Sequence, residues 1–283
     1  MMPKGSGVEI CKKTHNLFAR AIPFIMARRK ESGGFGATPR LPASVTDTYH
    51  GLKILDLTRQ CGAIDNGGYD PIRDKDLHAY LSACLLKLTF GPRTRFQLLW
   101  CFRAAGIYVD RRAAADSVAA QLRDSVSLES LYYHAKLLLE VLEIPLPEAL
   151  EIRNASSAII GKWRTVGEAW MHVYLARYFR KKLPLSGPEL ITWFQNSQNG
   201  DGGFGFFPGT TSFVENCHAS LRALVFLGAK PRDPTGVFQF LEGCQTLSGG
   251  FGRSISAAPF LDATWHALSA FAILDGRYFK QDM

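Results

Sequence analysis

The tetrapeptide Gly-Gly-Phe-Gly occurs three times in this chain, at Gly33–Gly36, Gly202–Gly205 and Gly249–Gly252. Thirteen residues past the Phe of each copy stand Thr48, Cys217 and Thr264, and four residues further stand Leu52, Leu221 and Leu268. Paired glycines permit backbone torsions and chain approaches that a Cβ forbids, so each copy reads as a tight corner. The Phe is the one large apolar group in that corner and is expected to plug the packing between neighbouring units. Beyond it, Leu52, Ile54, Leu55; Leu221, Leu224, Val225; and Leu268, Phe271, Ala272 follow the spacing of a buried helix face. One loop-then-helix unit has been copied.

The last two copies are about 47 residues apart, a helix-hairpin period, so a chain of 283 residues holds about six units. Gly67-Gly68-Tyr69, with Ser82 thirteen residues on, reads as a worn fourth copy. Helical patterns are expected over 75–89, 128–143 and 166–182, alternating with shorter ones over 8–29, 96–105, 113–122, 147–160, 187–196 and 234–244. Several open on Pro near the first turn, where its missing N–H costs nothing. No strand run stands out, and no Pro/Ser-rich linker divides the chain. The expectation is all-α, with residues 1–283 as a single domain.

Hydrophobic residues make up 47% and charged residues 20% of the chain, which suits one large core with a second apolar lining inside it. The net charge of +8 permits an anionic partner. Its clusters, Arg28-Arg29-Lys30, Arg111-Arg112 and Arg180-Lys181-Lys182, sit where helix ends are expected and read as solvated caps. No nucleic-acid-binding motif accompanies them. Leu17, Phe18, Ile22, Ile25 and Met26 form an apolar stripe flanked by cations, which reads as a helix packed on its own domain or as a peripheral membrane contact. No stretch approaches a transmembrane span. The six cysteines show no disulfide framework, so a cytoplasmic location is expected.

Three segments, Phe194-Gln195, Gln198-Asn199-Gly200-Asp201-Gly202-Gly203-Phe204-Gly205 with Pro208-Gly209, and Cys244-Gln245 before the last corner, resemble the repeats of the α/α-toroid prenyltransferases and squalene/hopene-type cyclases. The β subunits of protein prenyltransferases are the nearest members in pattern. The resemblance implies a ring of about six helical hairpins, whose inner helices line an apolar cavity for an isoprenoid chain. It also implies a prenyl diphosphate ligand, a zinc ion and a helical partner subunit.

Laying the three units over one another places Thr46, Glu215 and Asp262 two residues before the Thr/Cys/Thr slot, and Asp47, Asn216 and Ala263 one before it. Tyr49, His218 and Trp265 follow one after the slot, and His50, Ala219 and His266 two after. Glu215-x-Cys217 matches the Asp-x-Cys pair of zinc ligands in the resembling enzymes, with Glu in place of Asp. Their third ligand falls on Ala263, and His266, one turn further, serves only if the metal shifts toward it. Their Arg-x-x-Lys diphosphate grip falls on Gly209 and Ser212. The candidate metal ligands are therefore Glu215, Cys217 and His266, types that zinc accepts. Asp262, Asp47 and His50 join them as candidate catalytic groups, with N-capping as the plainer role of the carboxylates.

Tyr49, Tyr132, Tyr133, Trp170, Tyr174 and Trp265, with His218, are the candidate ligand-lining residues, since aromatic faces pack a prenyl tail and stabilise a carbocation. No Asp-x-Asp-Asp acid is present, and Asp201 in the corner reads as a turn residue. Three readings stay open: a prenyltransferase-like enzyme, a cyclase using a dispersed acid such as Asp47 or Asp262, and a non-catalytic isoprenoid-binding toroid or scaffold.

Overall fold

The computed structural model describes residues 6–62, 69–86, 90–123, 125, 127–144, 163–179 and 186–276. In chain order the helices are α1 (Ser6–Met26), α2 (Val45–Gln60), α3 (Lys75–Leu85), α4 (Pro92–Ala104), α5 (Arg111–Arg123), α6 (Leu128–Lys136), α7 (Val166–Phe179), α8 (Gly187–Asn196), α9 (Val214–Phe226), α10 (Pro234–Gly243) and α11 (Leu261–Leu274). Among the described residues there is no strand, only isolated bridges at the corners. The expected helix over 128–143 is α6 followed by a π-helical turn, Leu137–Val141. The expected helix over 147–160, the ends at 87–89 and 180–182, and Gly67-Gly68 lie outside the described residues.

Helix α2 packs on α4, α4 on α6, α6 on α7, α7 on α9, α9 on α11, and α11 back on α2, which closes an inner ring. Around it α1 packs on α11 and α2, α3 on α4, α5 on α6, α8 on α9 and α10 on α11. This is an α/α toroid. The stripe of α1 faces inward, with Leu17, Phe18 and Ile25 buried in the core. No helix among the described residues is long and apolar enough to cross a membrane. The proposed fourth copy is corrected, because Ser82 is an exposed residue of the outer helix α3 and not the start of an inner one.

The repeated corners carry the docking of one outer helix on the next. Gly33, Gly202 and Gly249 have φ of 107°, 89° and 90°, a region that L side chains avoid. A Cβ on them would lie 2.0 Å from the Asp76 carbonyl of α3, 2.1 Å from the Gly236 carbonyl of α10 and 1.9 Å from the Arg20 carbonyl of α1. The third contact joins the last unit to the first helix. Gln245 Nε2 donates to the Leu17 carbonyl at 3.0 Å across the same join. Gln198 ties α8 to α10 likewise, donating to the Asp233 carbonyl at 2.8 Å and accepting the Asp233 amide at 3.0 Å.

Phe35, Phe204 and Phe251 are fully buried plugs. The Phe35 and Phe251 amides each donate to the hydroxyl thirteen residues on, Thr48 or Thr264, at 3.0 Å. In the middle copy the Phe204 amide is bonded to Cys217 instead. Asp201 is a turn residue, its carboxylate accepting from the Gly203 amide and the Ser212 hydroxyl at 2.9 and 2.7 Å.

Candidate functional site

A cavity of about 290 Å³ opens among the first halves of all six inner helices. Its lining has a simple register. The fifth and sixth residues of every inner helix contribute to it: Tyr49 and His50, Phe96 and Gln97, Tyr132 and Tyr133, Trp170 and Met171, His218 and Ala219, Trp265 and His266. Equal positions from six helices make a belt only if all six helices run the same way, with their N-termini at one rim. Arg93, Thr165, Phe206 and Glu215 line that rim. The lining reaches the ninth residue at Lys136 and Arg222 and goes no deeper. At the thirteenth position Leu57 is buried, and Tyr178 and Phe226 pack partly buried on the core.

The belt has two chemically different arcs. On α4, α6 and α7 it is aromatic, with Phe96 against Tyr133 at 5.8 Å and the Trp170 indole donating to the Tyr132 hydroxyl at 3.1 Å. On α2, α9 and α11 it carries three histidines. The Nδ1 atoms of His218 and His266 are 2.8 Å apart, so one holds a proton that the other accepts. His50 packs 6.4 Å from His266, ring centre to ring centre. Buried His218 Nε2 has no hydrogen-bond partner, whereas the His50 imidazole contacts the Thr46 backbone, which opposes the fall in its pKa. Burial pushes the His266 imidazole down to about 4, with Asp262 opposing and Arg93 and Arg222 adding to the shift. Burial, reinforced by His266, holds His50 and His218 well below the usual histidine value. The arc is neutral at pH 7.

Cations stand on the other arc and below the belt. Arg222 lies 4.4 Å from the Trp170 ring centre, and Lys136 lies 4.8 Å from Phe96 and 3.3 Å from Glu140. Burial lowers the Lys136 ammonium, but the Glu140 carboxylate together with Tyr132 and Tyr49 more than offsets it, so the lysine stays charged. Buried Lys53 lies between Trp100 and Trp265, at 5.0 and 4.7 Å.

The structure brings together Tyr49, His50, Tyr132, Tyr133, Trp170, Glu215, His218, Trp265 and His266 from the sequence expectations. It does not bring Cys217, Asp47, Asp262 or Tyr174 to the lining. Cys217 occupies the Phe-amide slot of its corner, where burial pushes its thiol well above the usual range. Asp47 forms a capping pair with Ser44, accepting from the Ser44 hydroxyl at 2.5 Å while its own amide donates back at 3.0 Å. Exposed Asp262 accepts from the Ala263 amide at 2.7 Å. Tyr174 is fully buried, with its hydroxyl donating to Glu140 at 3.0 Å.

The donor set does not fit the expected zinc ion. The Cys217 thiol is turned to a backbone amide and held protonated, Glu215 is paired with Arg253, and one His266 nitrogen faces His218. Among the described residues no group of three or more His, Cys, Asp or Glu is placed to hold a metal. Sequence reasoning missed Arg93, Gln97, Lys136 and Arg222. For Lys136 and Arg222 there was a signal, a lone cation inside an apolar inner-helix run.

No curated protein matches the chain. The model of the prenyltransferase alpha-alpha toroid domain matches residues 6–91, 131–254 and 227–283. With six parallel inner helices around one cavity and three corners in common register, the chain belongs to the prenyltransferase alpha-alpha toroid domain family.

Proposed function

We propose that this toroid is an isoprenoid-handling enzyme that binds a prenyl diphosphate in the belt cavity and processes it there. The observation that carries this reading is the combination of aromatic walls with Arg93, Lys136 and Arg222 in one cavity, since such a lining suits an anion attached to an apolar chain. These cations supply what the empty grip positions Gly209 and Ser212 do not. The N-termini of six inner helices at the rim add positive potential. The cavity's volume of about 290 Å³ is at the lower end of the usual range of small-molecule sites.

Loss of diphosphate leaves positive character on the adjacent carbon, which the rings of Trp170, Tyr132 and Phe96 stabilise. Arg222 and Lys136 stabilise the negative charge that develops on the departing oxygen. Half-buried His266, kept neutral by its surroundings, is the group placed to take a proton from an attacking nucleophile or from the cation itself.

Calorimetric titration of the full chain with geranyl diphosphate, followed by an assay for released diphosphate, tests the proposal. Binding together with turnover supports it. Binding without turnover leaves a non-catalytic isoprenoid-binding toroid. Absence of binding by dimethylallyl, geranyl, farnesyl and geranylgeranyl diphosphate alike overturns the reading.

A further inference from the structure

His218, the fifth residue of α9, and His266, the sixth of α11, meet across one join of the inner ring. Their Nδ1 atoms are 2.8 Å apart, and a single proton lies between them. Two neutral imidazoles that share such a bond hold opposite tautomers. The ring that donates from Nδ1 has a bare Nε2, and the ring that accepts at Nδ1 carries its proton on Nε2. Trp265 meets the His218 ring edge-on at 6.0 Å, and His50 packs 6.4 Å from His266, so both rings are held in place. Among the described residues no carboxylate bonds to either ring. Asp47 is bonded to Ser44, Glu215 is paired with Arg253, and Asp262 accepts from the Ala263 amide. The tautomers are therefore left to whatever meets the two Nε2 atoms.

His218 is 4% exposed, and its Nε2 is a buried atom without a partner on a residue that lines the cavity. Leaving such an atom unpaired is costly, and a ligand in the cavity is the partner it lacks. Arg222, four residues on and one turn deeper in α9, lines the same cavity and favours an anion beside His218. His266 is half-buried and also lines the cavity. Desolvation holds both rings neutral, so neither is suited to store a proton. A pair that passes a proton along without forming an imidazolium avoids that penalty.

We infer that the bound diphosphate selects the tautomers of this pair, which makes His218 the proton donor to the departing oxygen and His266 the base. This rests on the prenyl diphosphate reading above and adds the residue that couples the two ends of its chemistry. An anionic phosphoryl oxygen is an acceptor, so it fixes the Nε2–H form of His218. His218 Nδ1 is then the acceptor, His266 Nδ1 the donor, and His266 Nε2 a bare lone pair. In the reaction the C–O bond to diphosphate breaks, and its electron pair leaves with the oxygen. The hydroxyl of water or an alcohol bonds to the vacated carbon and gives its proton to His266 Nε2. The His266 Nδ1 proton crosses to His218 Nδ1, and the His218 Nε2 proton passes to the diphosphate oxygen. Both rings stay neutral and exchange tautomers, and solvent restores them after the products leave. The base exists only while the leaving group is in place.

Imidazole nitrogen NMR on the full chain saturated with inorganic diphosphate reads the tautomers. The expected result is Nε2–H on His218 and Nδ1–H on His266. Steady-state turnover of geranyl diphosphate separates the two roles of His218. His218→Gln keeps a donor near the Nε2 position and breaks the bond to His266, so kcat falls about a hundredfold while KM stays within about threefold. His218→Asn keeps a polar group near Nδ1 and removes the donor, so KM rises about tenfold as well. His266→Gln lowers kcat as His218→Gln does, and the double variant loses no more than the slower single one, because the pair acts as a unit. Thermal melts confirm that the variants fold. If His218→Asn does not fold, His218→Gln and the spectra decide.

The opposite tautomers in the bound chain, an unaltered kcat in His218→Gln, or losses that multiply in the double variant overturn the coupling while leaving prenyl diphosphate binding intact. Binding without turnover by the unaltered chain overturns it as well and leaves a binding toroid. Absence of binding by the prenyl diphosphates removes the functional reading and the coupling together.

Discussion

The two halves of the inner ring are held together by different physics. On the side of α2, α9 and α11, each helix is preceded by a glycine corner whose plug, amide bond and contact with the next outer helix recur in one register. On the side of α4, α6 and α7 the sequence has no Gly-Gly-Phe-Gly before the helices, and buried Leu131, Leu138 and Val173 hold them together with the Trp170–Tyr132 and Tyr174–Glu140 hydrogen bonds. The cornered arc carries the histidines, and the plain arc carries the aromatic wall with Lys136 and Arg93. Backbone constraint and side-chain packing thus divide one cavity between them. Neutral, closely spaced imidazoles stand where the backbone is fixed most tightly.

The largest break in this comparison comes from filling a corner. Gly249→Ala places a Cβ against the Arg20 carbonyl at a positive φ, where neither backbone has room to yield. The expected loss is about 3 kcal/mol or more in urea unfolding, because strain and steric overlap act together. Gly228→Ala, also at positive φ but with nothing within 4 Å of its Cβ, loses only about 1 kcal/mol. Equal losses would mean that the corners are ordinary turns and that ring closure does not depend on them.

The same contrast explains what was legible in the sequence. A glycine forced to positive φ leaves a fixed mark, and the thirteen-residue offset to Thr48, Cys217 and Thr264 is the length of chain from plug to amide partner. That offset leads directly to Tyr49, His50, His218, Trp265 and His266, all of which line the cavity. It misled at Cys217, because a residue type that binds zinc in the resembling enzymes is equally able to accept an amide bond, and only the side chain's direction separates the two. The plain arc offers no such ruler. Arg93 and Lys136 are set in place by helix register, which becomes visible only once the helix starts are known. Lys53, Lys136 and Arg222 each interrupt an apolar run at Leu52–Ile54, Ala135–Leu137 and Leu221–Ala223, a weaker mark than the charge clusters at helix ends.

Acid titration sharpens the contrast between the arcs. His266 and His134 both titrate at about 4 in the folded chain, and burial is the largest cause at each. Their folded values lie below the unfolded one, so the unfolded chain takes up the proton first. The stability they contribute is complete above about pH 6.5 and is lost as pH falls toward 4, up to about 3 kcal/mol for a shift of this size. His50 and His218 add to the loss on the cornered arc, whereas His134, bonded to the Ser125 hydroxyl at 2.9 Å, stands on the plain arc. Unfolding measured between about pH 7 and pH 4.5 is expected to flatten more in His266→Asn than in His134→Asn. The opposite order would show that the histidine arc is not the acid-sensitive part of the ring.

The smallest effect concerns the slot itself, and it separates a structural thiol from a reactive one. If Cys217 serves only to satisfy the Phe204 amide, as Thr48 and Thr264 satisfy theirs, then Cys217→Thr restores the repeat's own solution and changes stability by less than about 1 kcal/mol. Cys217→Val and Thr264→Val both leave a buried amide unsatisfied and cost about 1–3 kcal/mol each. Ligand affinity, read by the titration used for the cavity, is unaltered in Cys217→Thr because the thiol does not reach the lining. A Cys217→Thr chain that folds with wild-type stability but no longer binds prenyl diphosphate would return the thiol to the site and remove the equivalence of the three corners.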